Sequence, residues 1–259
     1  MRLVAWNCGG GFHRKAAALL ALEPDVAVVS ECAGLERLLA KVPWFQPAGA
    51  LWTGDVGQKG LAIFSFGAYR LASCRSHRPA ITYALPARVE GPTSFNLLGL
   101  WAHHHKAPLS VRDPGPTLGA LAAYQRLLRR GPAIVAGDLN NHIRWDRPRK
   151  ASNHANAITA FGRLGMVSAY HHVFGVAQGG ERHPTLYWRD RTETGPTYHI
   201  DYVFLPRGAA AHILSFRIGR FADWTAVGLS DHVPLVIDLD PRFAAGEGPQ
   251  VRRKVRASE

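Results

Sequence analysis

The chain has 259 residues, with 31 Lys and Arg against 19 Asp and Glu, so its formal net charge is +12 before any of its 13 histidines is protonated. Its 47% hydrophobic content excludes a chain that stays disordered, and no apolar run approaches the ~18–20 residues needed to span a bilayer. Three cysteines, Cys8, Cys32 and Cys74, offer neither a closed disulfide framework nor zinc spacing.

The N-terminal stretch MRLVAWNCGGGFHR reaches glycines too soon to hold a signal-peptide h-region, so a cytoplasmic protein is expected. RLVAW (2–6) reads as a short apolar strand, broken by three consecutive glycines. RKAAALLAL (14–22) has helical composition and stops at Glu23-Pro24, because the residue before proline is disfavoured in a helix. DVAVVSE (25–31) is too short and too β-branched for a helix and is predicted as a buried strand. Further strands are expected at GLAIFSF (60–66), YRLASCR (69–75), TYALPARV (82–89) and FNLLGLWA (95–102), the second and third as edge or solvent-facing strands. TLGALAAYQRLLRR (117–130) is the clearest amphipathic helix, ended by Gly131-Pro132. AIVAGDLN (133–140) is a buried strand that runs into polar residues, and NHANAITAFGRLG (153–165) a helix. Strands follow at TLYWRD (185–190), YHIDYVFLP (198–206), AHILSFRIG (211–219) and VPLVIDLD (233–240).

Strands outnumber the helices interspersed among them, and no solenoid period is present, which favours an α/β domain with more than one sheet. A single domain over 1–243 is expected, with 244–259 a disordered basic tail carrying Arg252, Arg253, Lys254 and Arg256. The tail contributes little charge: without 247–259 there remain 27 basic and 17 acidic residues, still +10.

The few carboxylates carry more information than the many cations. Buried strands avoid acids, since an unpaired buried carboxylate costs several kcal/mol (roughly). Here apolar strands run into Glu31 and Asp138, Asp201 lies within HIDYVF, and Asp231 directly precedes HVPLVIDL. Each has an ordinary reading: a surface acid, a turn at Gly-Asp-Leu-Asn, or a helix N-cap at Ser230-Asp231. Together, at strand ends where α/β sheets build ligand sites, they would repel unless a cation sat among them. Oxygen donors of this kind suit Mg²⁺ or Mn²⁺.

The ordered set of motifs resembles the endonuclease/exonuclease/phosphatase superfamily, which includes exonuclease III-type apurinic endonucleases, DNase I-like nucleases, sphingomyelinases and inositol-polyphosphate phosphatases. The matching residues are WN (6–7), SE (30–31), KGLAIFS (59–65), WAHHH (101–105), GDLN (137–140), HIDYVF (199–204) and SDHVPL (230–235). The resemblance implies a DNase I-like, four-layer α/β/β/α sandwich of two packed mixed sheets. It implies a metal held by Glu31 with Asn7 nearby and Asp231 as an outer or second contact. It also implies a catalytic set of Asp138, Asn140, Asp201, His232 and His103. Asp138 would orient or deprotonate the attacking water, Asn140 would hold it, His232 would contact the phosphate or exchange protons, and Asp201 would fix the His232 ring. Which of Asp138 and His232 is the base stays open at this stage. Two departures are notable. Asn7-Cys8-Gly9 lacks the second acid of the apurinic enzymes, favouring one dominant metal ion, and WAHHH has histidines but no Tyr.

After the fourth motif comes RWDRPRK, so Arg144, Trp145, Arg147, Arg149 and Lys150 are candidates for nucleic-acid binding, with Trp145 placed to stack on a base or to anchor the loop. Tyr187, Trp188, Tyr198 and Trp224 are expected in the core. The reading is a monomeric, metal-dependent nuclease acting on DNA, or on RNA, with no membrane partner. The alternatives are a phosphomonoesterase or phospholipid phosphodiesterase of the same superfamily, and a non-catalytic nucleic-acid-binding protein.

Overall fold

In the computed structural model, which describes residues 1–54, 59–81, 83–103, 112–188, 191–244 and 256–258, the first strand already belongs to two hydrophobic cores. Successive strand side chains point to opposite faces. In β1 (Arg2–Asn7), Leu3 and Ala5 therefore pack on one side, and Val4 and Trp6 on the other.

The next strands in the chain are β2 (Val26–Ala33), β3 (Gly49–Gly54), β4 (Lys59–Ser65), β5 (Arg70–Ser73), β6 (Ala84–Glu90), β7 (Phe95–Trp101), β8 (Ala133–Asp138) and β9 (Met166–Ser168). They are followed by β10 (Leu186–Tyr187), β11 (Thr197–Tyr198), β12 (Asp201–Pro206), β13 (Ile213–Ile218), β14 (Leu235–Leu239) and β15 (Arg256–Ser258). One mixed sheet has the order β15-β13-β14-β1-β2-β4-β3, a second β5-β6-β7-β8-β12-β9, and β10-β11 form a small ribbon.

The sheets pack face to face. Leu3, Val28 and Ile63 of the first share a core with Leu97, Ile134 and Val203 of the second. The outer face of the first sheet is covered by α1 (Ala16–Leu20) and α2 (Leu35–Lys41), through Ala16, Leu19 and Leu38 against Val4, Trp6 and Phe64. The outer face of the second is covered by α3 (Gly115–Leu128) and α4 (His154–Arg163), where Phe161 stacks on Phe204 at 3.6 Å. The result is the expected four-layer α/β/β/α sandwich of the DNase I type.

Several sequence expectations need correction. TYALPARV is not an edge strand: β6 lies between β5 and β7 and is largely buried. Its Pro86 is tolerated because β5 pairs only with residues from Ala87 onward, leaving the proline without a strand partner on that side. The expected strand 198–206 is two elements, β11 and β12, separated at His199 and Ile200. The helix expected over 14–22 narrows to α1 after a 3-10 turn. In the tail, 245–255 and 259 lie outside the described residues, while β15 adds a short parallel strand beside β13.

Candidate active site

The site grows from strand termini that the sandwich brings to one end. β1 runs parallel to β2, so Asn7 at the end of β1 lies level with Ser30. The β2–β4 register shifts between Ser30 and Cys32, and Glu31 occupies the irregularity with φ +59°. Such a bulge re-aims a side chain out of the ladder. In the other sheet, antiparallel pairing sets Asp201, the first residue of β12, directly opposite Asp138, the last of β8. Gly137 precedes Asp138 with φ +137°, and a Cβ there would lie 2.0 Å from the Leu100 carbonyl oxygen. Only glycine lets β8 approach β7 this closely.

Hydrogen bonds join these termini into one network. Asn7 Nδ2 donates to Asp138 Oδ2 at 2.9 Å and reaches Glu31 Oε1 at 3.3 Å. Asp138 also accepts from the Asn140 backbone N–H at 2.7 Å and from Asn140 Nδ2 at 2.9 Å. His232 Nδ1 bonds Asp201 Oδ2 at 2.8 Å. The other oxygen of Asp201 is buried with no hydrogen-bond partner among the described residues. Asp138, Asp201 and His232 offer ligand atoms that all lie within 4.8 Å of one another.

The electrostatics separate the two buried acid–base groups. Burial, and then the negative charge of Asp201, push the Asp138 carboxyl up to about 7 against the opposing effects of His232, Asn7 and Asn140. Burial alone would lower the pKa of His232, but the charge and hydrogen bond of Asp201, with Asp138 and Asp231 behind them, raise it to about 10. The carboxylates thus hold the imidazole in its protonated form, so the site contains a proton donor, His232, beside a carboxyl, Asp138, that titrates near neutrality.

The remaining sequence candidates take distinct places. Asp231 is partly exposed, 3.7 Å from Arg191 Nη2, with its Oδ1 over the Gly9 turn that follows Asn7. His103 lies just past β7, its ring stacked on Trp101 at 4.8 Å, and the preceding Ala102 N–H donates to the Asp138 carbonyl. His104 and His105 lie outside the described residues. Arg144, Arg147 and Arg149 are exposed and Lys150 is half-buried. Their loop is folded by Asp146, whose carboxylate accepts the N–H groups of His154 and Ala155 at the start of α4. Trp145 is 38% exposed and packs edge-on against Tyr198 at 4.6 Å. Trp188 is a correction: expected in the core, it is 44% exposed, 6.2 Å from the half-buried Tyr198. Tyr187 and Trp224 are buried as expected.

Four supporting residues escaped the sequence reading. Lys59 forms an ion pair with Glu31 Oε2. Ser230 donates to the Asn7 carbonyl at 2.8 Å and accepts from the His232 N–H at 3.1 Å, tying the two chain ends of the site together. Thr185 Oγ1 accepts the backbone N–H groups of Ile200 and Asp201, both at 3.0 Å. Glu181 is buried between two imidazoles, 3.0 Å from His171 Nε2 and 3.5 Å from His142 Nε2. Although burial opposes it, the two histidines hold the Glu181 carboxyl well below the usual carboxylate range. His142 follows Asn140 by two residues, so this pair anchors the loop that carries Asn140. Ser230 and Lys59 stand inside quoted motifs, whereas nothing in the sequence marks Thr185 or Glu181.

The model of the Endonuclease/Exonuclease/phosphatase family matches residues 4–232, and the chain belongs to that family. It is therefore an ester-bond hydrolase of the phosphodiesterase and phosphatase type. Among solved structures it is similar to a 3′ phosphatase, NExo, from Neisseria bound to a product DNA hairpin, with 17% identity, 93% of this chain and 99% of that chain covered, and a TM-score of 0.67. A 3′-5′ exonuclease, NExo, from Neisseria meningitidis superposes with a TM-score of 0.66 at 17% identity, over 93% and 100% of the two chains. An AP endonuclease from Archaeoglobus fulgidus gives 0.63 at 17% identity, over 93% and 99%. A search of curated protein sequences finds no significant match.

Proposed function

We propose that the chain is a divalent-metal-dependent nuclease that hydrolyses DNA, and RNA where it fits, by in-line attack of water on a phosphodiester. The observation that carries this reading is the buried Asp138–Asp201–His232 cluster joined through Asn7 to Glu31 at one end of the sandwich.

The donor set fits a hard divalent cation. Glu31 is partly exposed and already receives a cation, the ammonium of Lys59, while Asp138 and the unpartnered Asp201 oxygen add further oxygen donors close by. The Asn7 oxygen is held by the Gly9 N–H, so Asn7 would join them only by turning its amide. Glu31, Asn7 and Asp231 are the residues assigned to Mg²⁺ or Mn²⁺. When bound, such an ion neutralises charge on the phosphoryl oxygens. The protein groups do the rest. Asp138, with its carboxyl near 7, accepts the proton of the attacking water, which Asn140 orients. His232, kept protonated by Asp201, donates to a phosphate oxygen instead of acting as base. His103 provides a second phosphate contact at the end of β7.

Nucleic acid as substrate is supported by the body charge of about +10 and by the exposed Arg144, Arg147 and Arg149 beside Trp145, five residues after Asn140. The test is incubation of the purified chain with supercoiled plasmid, single-stranded DNA, RNA or an inositol phosphate, each with Mg²⁺, Mn²⁺ or EDTA, beside Glu31→Gln and His232→Ala. Metal-dependent strand cleavage, reduced by orders of magnitude in both variants, is expected. Equal activity in EDTA overturns the metal assignment, and phosphate release without strand cleavage moves the substrate to a phosphomonoester.

A further inference from the structure

A pocket of about 470 Å³ opens beside Glu31, lined by the glycine turn, α2 and the start of β4. Its charge is one-sided. Arg14, Arg37, Lys41 and Lys59 line it together with His13, and among the described residues Glu31 is the only acid in its wall. Leu38 and Ala33 add an apolar floor.

The three glycines account for how these cations come together. Gly9, Gly10 and Gly11 all have left-handed φ, at +61°, +76° and +64°. A Cβ on Gly10 would lie 2.9 Å from Lys59 Cε, and one on Gly11 would lie 2.9 Å from Arg14 Nη2. The side-chain-free turn thus lets the Lys59 and Arg14 head groups lie against the backbone from two directions. The opposite wall is α2, whose Arg37 and Lys41 are one helical turn apart and so share a face. His13 registers the field: burial first, then Lys41, Arg14 and Arg37, lower its pKa. Glu31 offsets Lys59, yet four permanent cations against one carboxylate leave the pocket with a positive field that favours a bound polyanion. Arg guanidinium groups match phosphate oxygens in pairs, and Lys adds point charges.

We propose that this pocket is a second phosphate-binding site, taking the phosphate of the substrate strand next to the one at the catalytic centre. Glu31 belongs to both the pocket wall and the proposed metal site, so an anion here is a neighbour of the reacting group. The assignment rests on the nucleic-acid reading above and extends it: the enzyme engages a strand with a phosphate on the Glu31 side, either internal or a terminal 5′-phosphate.

The experiment uses the full chain in EDTA, so that binding is read without metal or turnover. Inorganic pyrophosphate is titrated calorimetrically into the wild type, into Arg37→Glu/Lys41→Glu, and into Arg126→Glu/Arg130→Glu. The last pair makes the same charge change on exposed residues in the last turn of α3 and just beyond its end, outside the pocket. The pocket variant is expected to lose at least tenfold in affinity while the α3 variant stays within about twofold. Equal loss in both, or none in either, overturns the proposal, as does a wild type that does not bind pyrophosphate. In a second arm, single-stranded oligonucleotides with a 5′-phosphate or a 5′-hydroxyl are bound at several salt concentrations. The pocket variant is expected to lower the slope of log K against log salt by about one contact. A loss confined to the 5′-phosphorylated strand assigns the site to a terminal phosphate, and a loss on both assigns it to an internal one. Pyrophosphate binding in a chain that cleaves no nucleic acid keeps the anion site but overturns its assignment to a substrate strand, and so separates the two failures.

Discussion

The Asn7 side-chain amide lies 2.9 Å from Asp138 Oδ2 and thereby links the last residue of β1 in one sheet to the last residue of β8 in the other. The same amide reaches Glu31. One buried side chain therefore sets the spacing between the proposed metal-binding carboxylate and the proposed base, which belong to opposite layers of the sandwich.

Replacing Asn7 by Ala removes one of the hydrogen bonds that lower the pKa of Asp138 and leaves burial and Asp201 unopposed by it. The carboxyl then rises above its value of about 7. Because a base must be deprotonated, the rate climbs as pH rises through that pKa, so the acid limb of the kcat/KM profile is expected to move to higher pH in Asn7→Ala. A pH–rate profile with an unchanged acid limb removes Asp138 from the role of base.

Asp201→Asn takes away the two largest causes that raise His232 and leaves burial, which lowers it, opposed only by the charges of Asp138 and Asp231. In the wild type the imidazole keeps its proton to about pH 10. Its raised pKa contributes stability that is complete below the ordinary value of about 6.5 and is lost as pH rises through about 10. In the variant the pKa of the ring is expected to fall, visible in its nitrogen chemical shifts across a pH titration. Activity should fall roughly 10- to 100-fold, the usual cost of removing a carboxylate that orients a histidine. A ring whose pKa does not fall in Asp201→Asn contradicts the pairing.

Glu31→Gln tests the cation site without relying on turnover. A ligand at a hundred times its Kd stabilises the native state by about 2.7 kcal/mol, on the order of 5 °C in Tm for a chain of this size. Mn²⁺ or Mg²⁺ is expected to raise the Tm of the wild type and to leave Glu31→Gln unmoved. Loss of the Lys59 partner itself should matter little, since that ammonium is 55% exposed. An equal metal-induced shift in both proteins places the ion elsewhere.

Glu31, Asp138, Asp201 and His232 were legible in the sequence because each interrupts or ends an apolar strand, where a charge needs a reason. β2, β4, β7 and β8 were legible for the same cause, as unbroken buried runs. β3 was not, because Gly49 and Gly54 bound a half-buried strand that reads as loop. Trp188 was misread because aromatic residues in a strand are ordinarily core, whereas β10 ends at Tyr187 and the next side chain turns to solvent. Glu181 could not be read at all: its partners His142 and His171 come from two other segments, and only tertiary packing brings the three together.

The Gly in GDLN has a steric role that substitution can measure. A Cβ at residue 137 would meet the Leu100 carbonyl oxygen at 2.0 Å, on a backbone with φ +137°. Neither β7 nor β8 can withdraw without opening the parallel ladder that pairs Leu100 with Gly137. Gly137→Ala is expected to cost about 3 kcal/mol or more, from overpacking plus backbone strain. Urea unfolding followed by circular dichroism reads this directly, and a loss under about 1 kcal/mol shows that the ladder is softer than its geometry implies.

Trp145 and Trp188, packed about the half-buried Tyr198, form an aromatic edge at the catalytic end, reached from three segments: the loop after Asn140, the residue just past β10, and the residue three before Asp201. Large aromatics left in water at a strand terminus mark a contact surface when they cluster beside a polar site. Stacking of an unpaired base on such a ring is worth about 1–3 kcal/mol, so Trp145→Ala and Trp188→Ala should each weaken single-stranded oligonucleotide binding roughly 5- to 100-fold. Trp145→Phe should restore most of the loss, because a smaller ring still stacks, whereas a loop that merely needs bulk would be restored equally by Leu. Quenching of tryptophan fluorescence on binding, reduced in each single variant, supplies an independent readout. Unchanged affinity in both Ala variants removes this edge from the substrate path and leaves the basic residues Arg144, Arg147 and Arg149 as the contacts on that side.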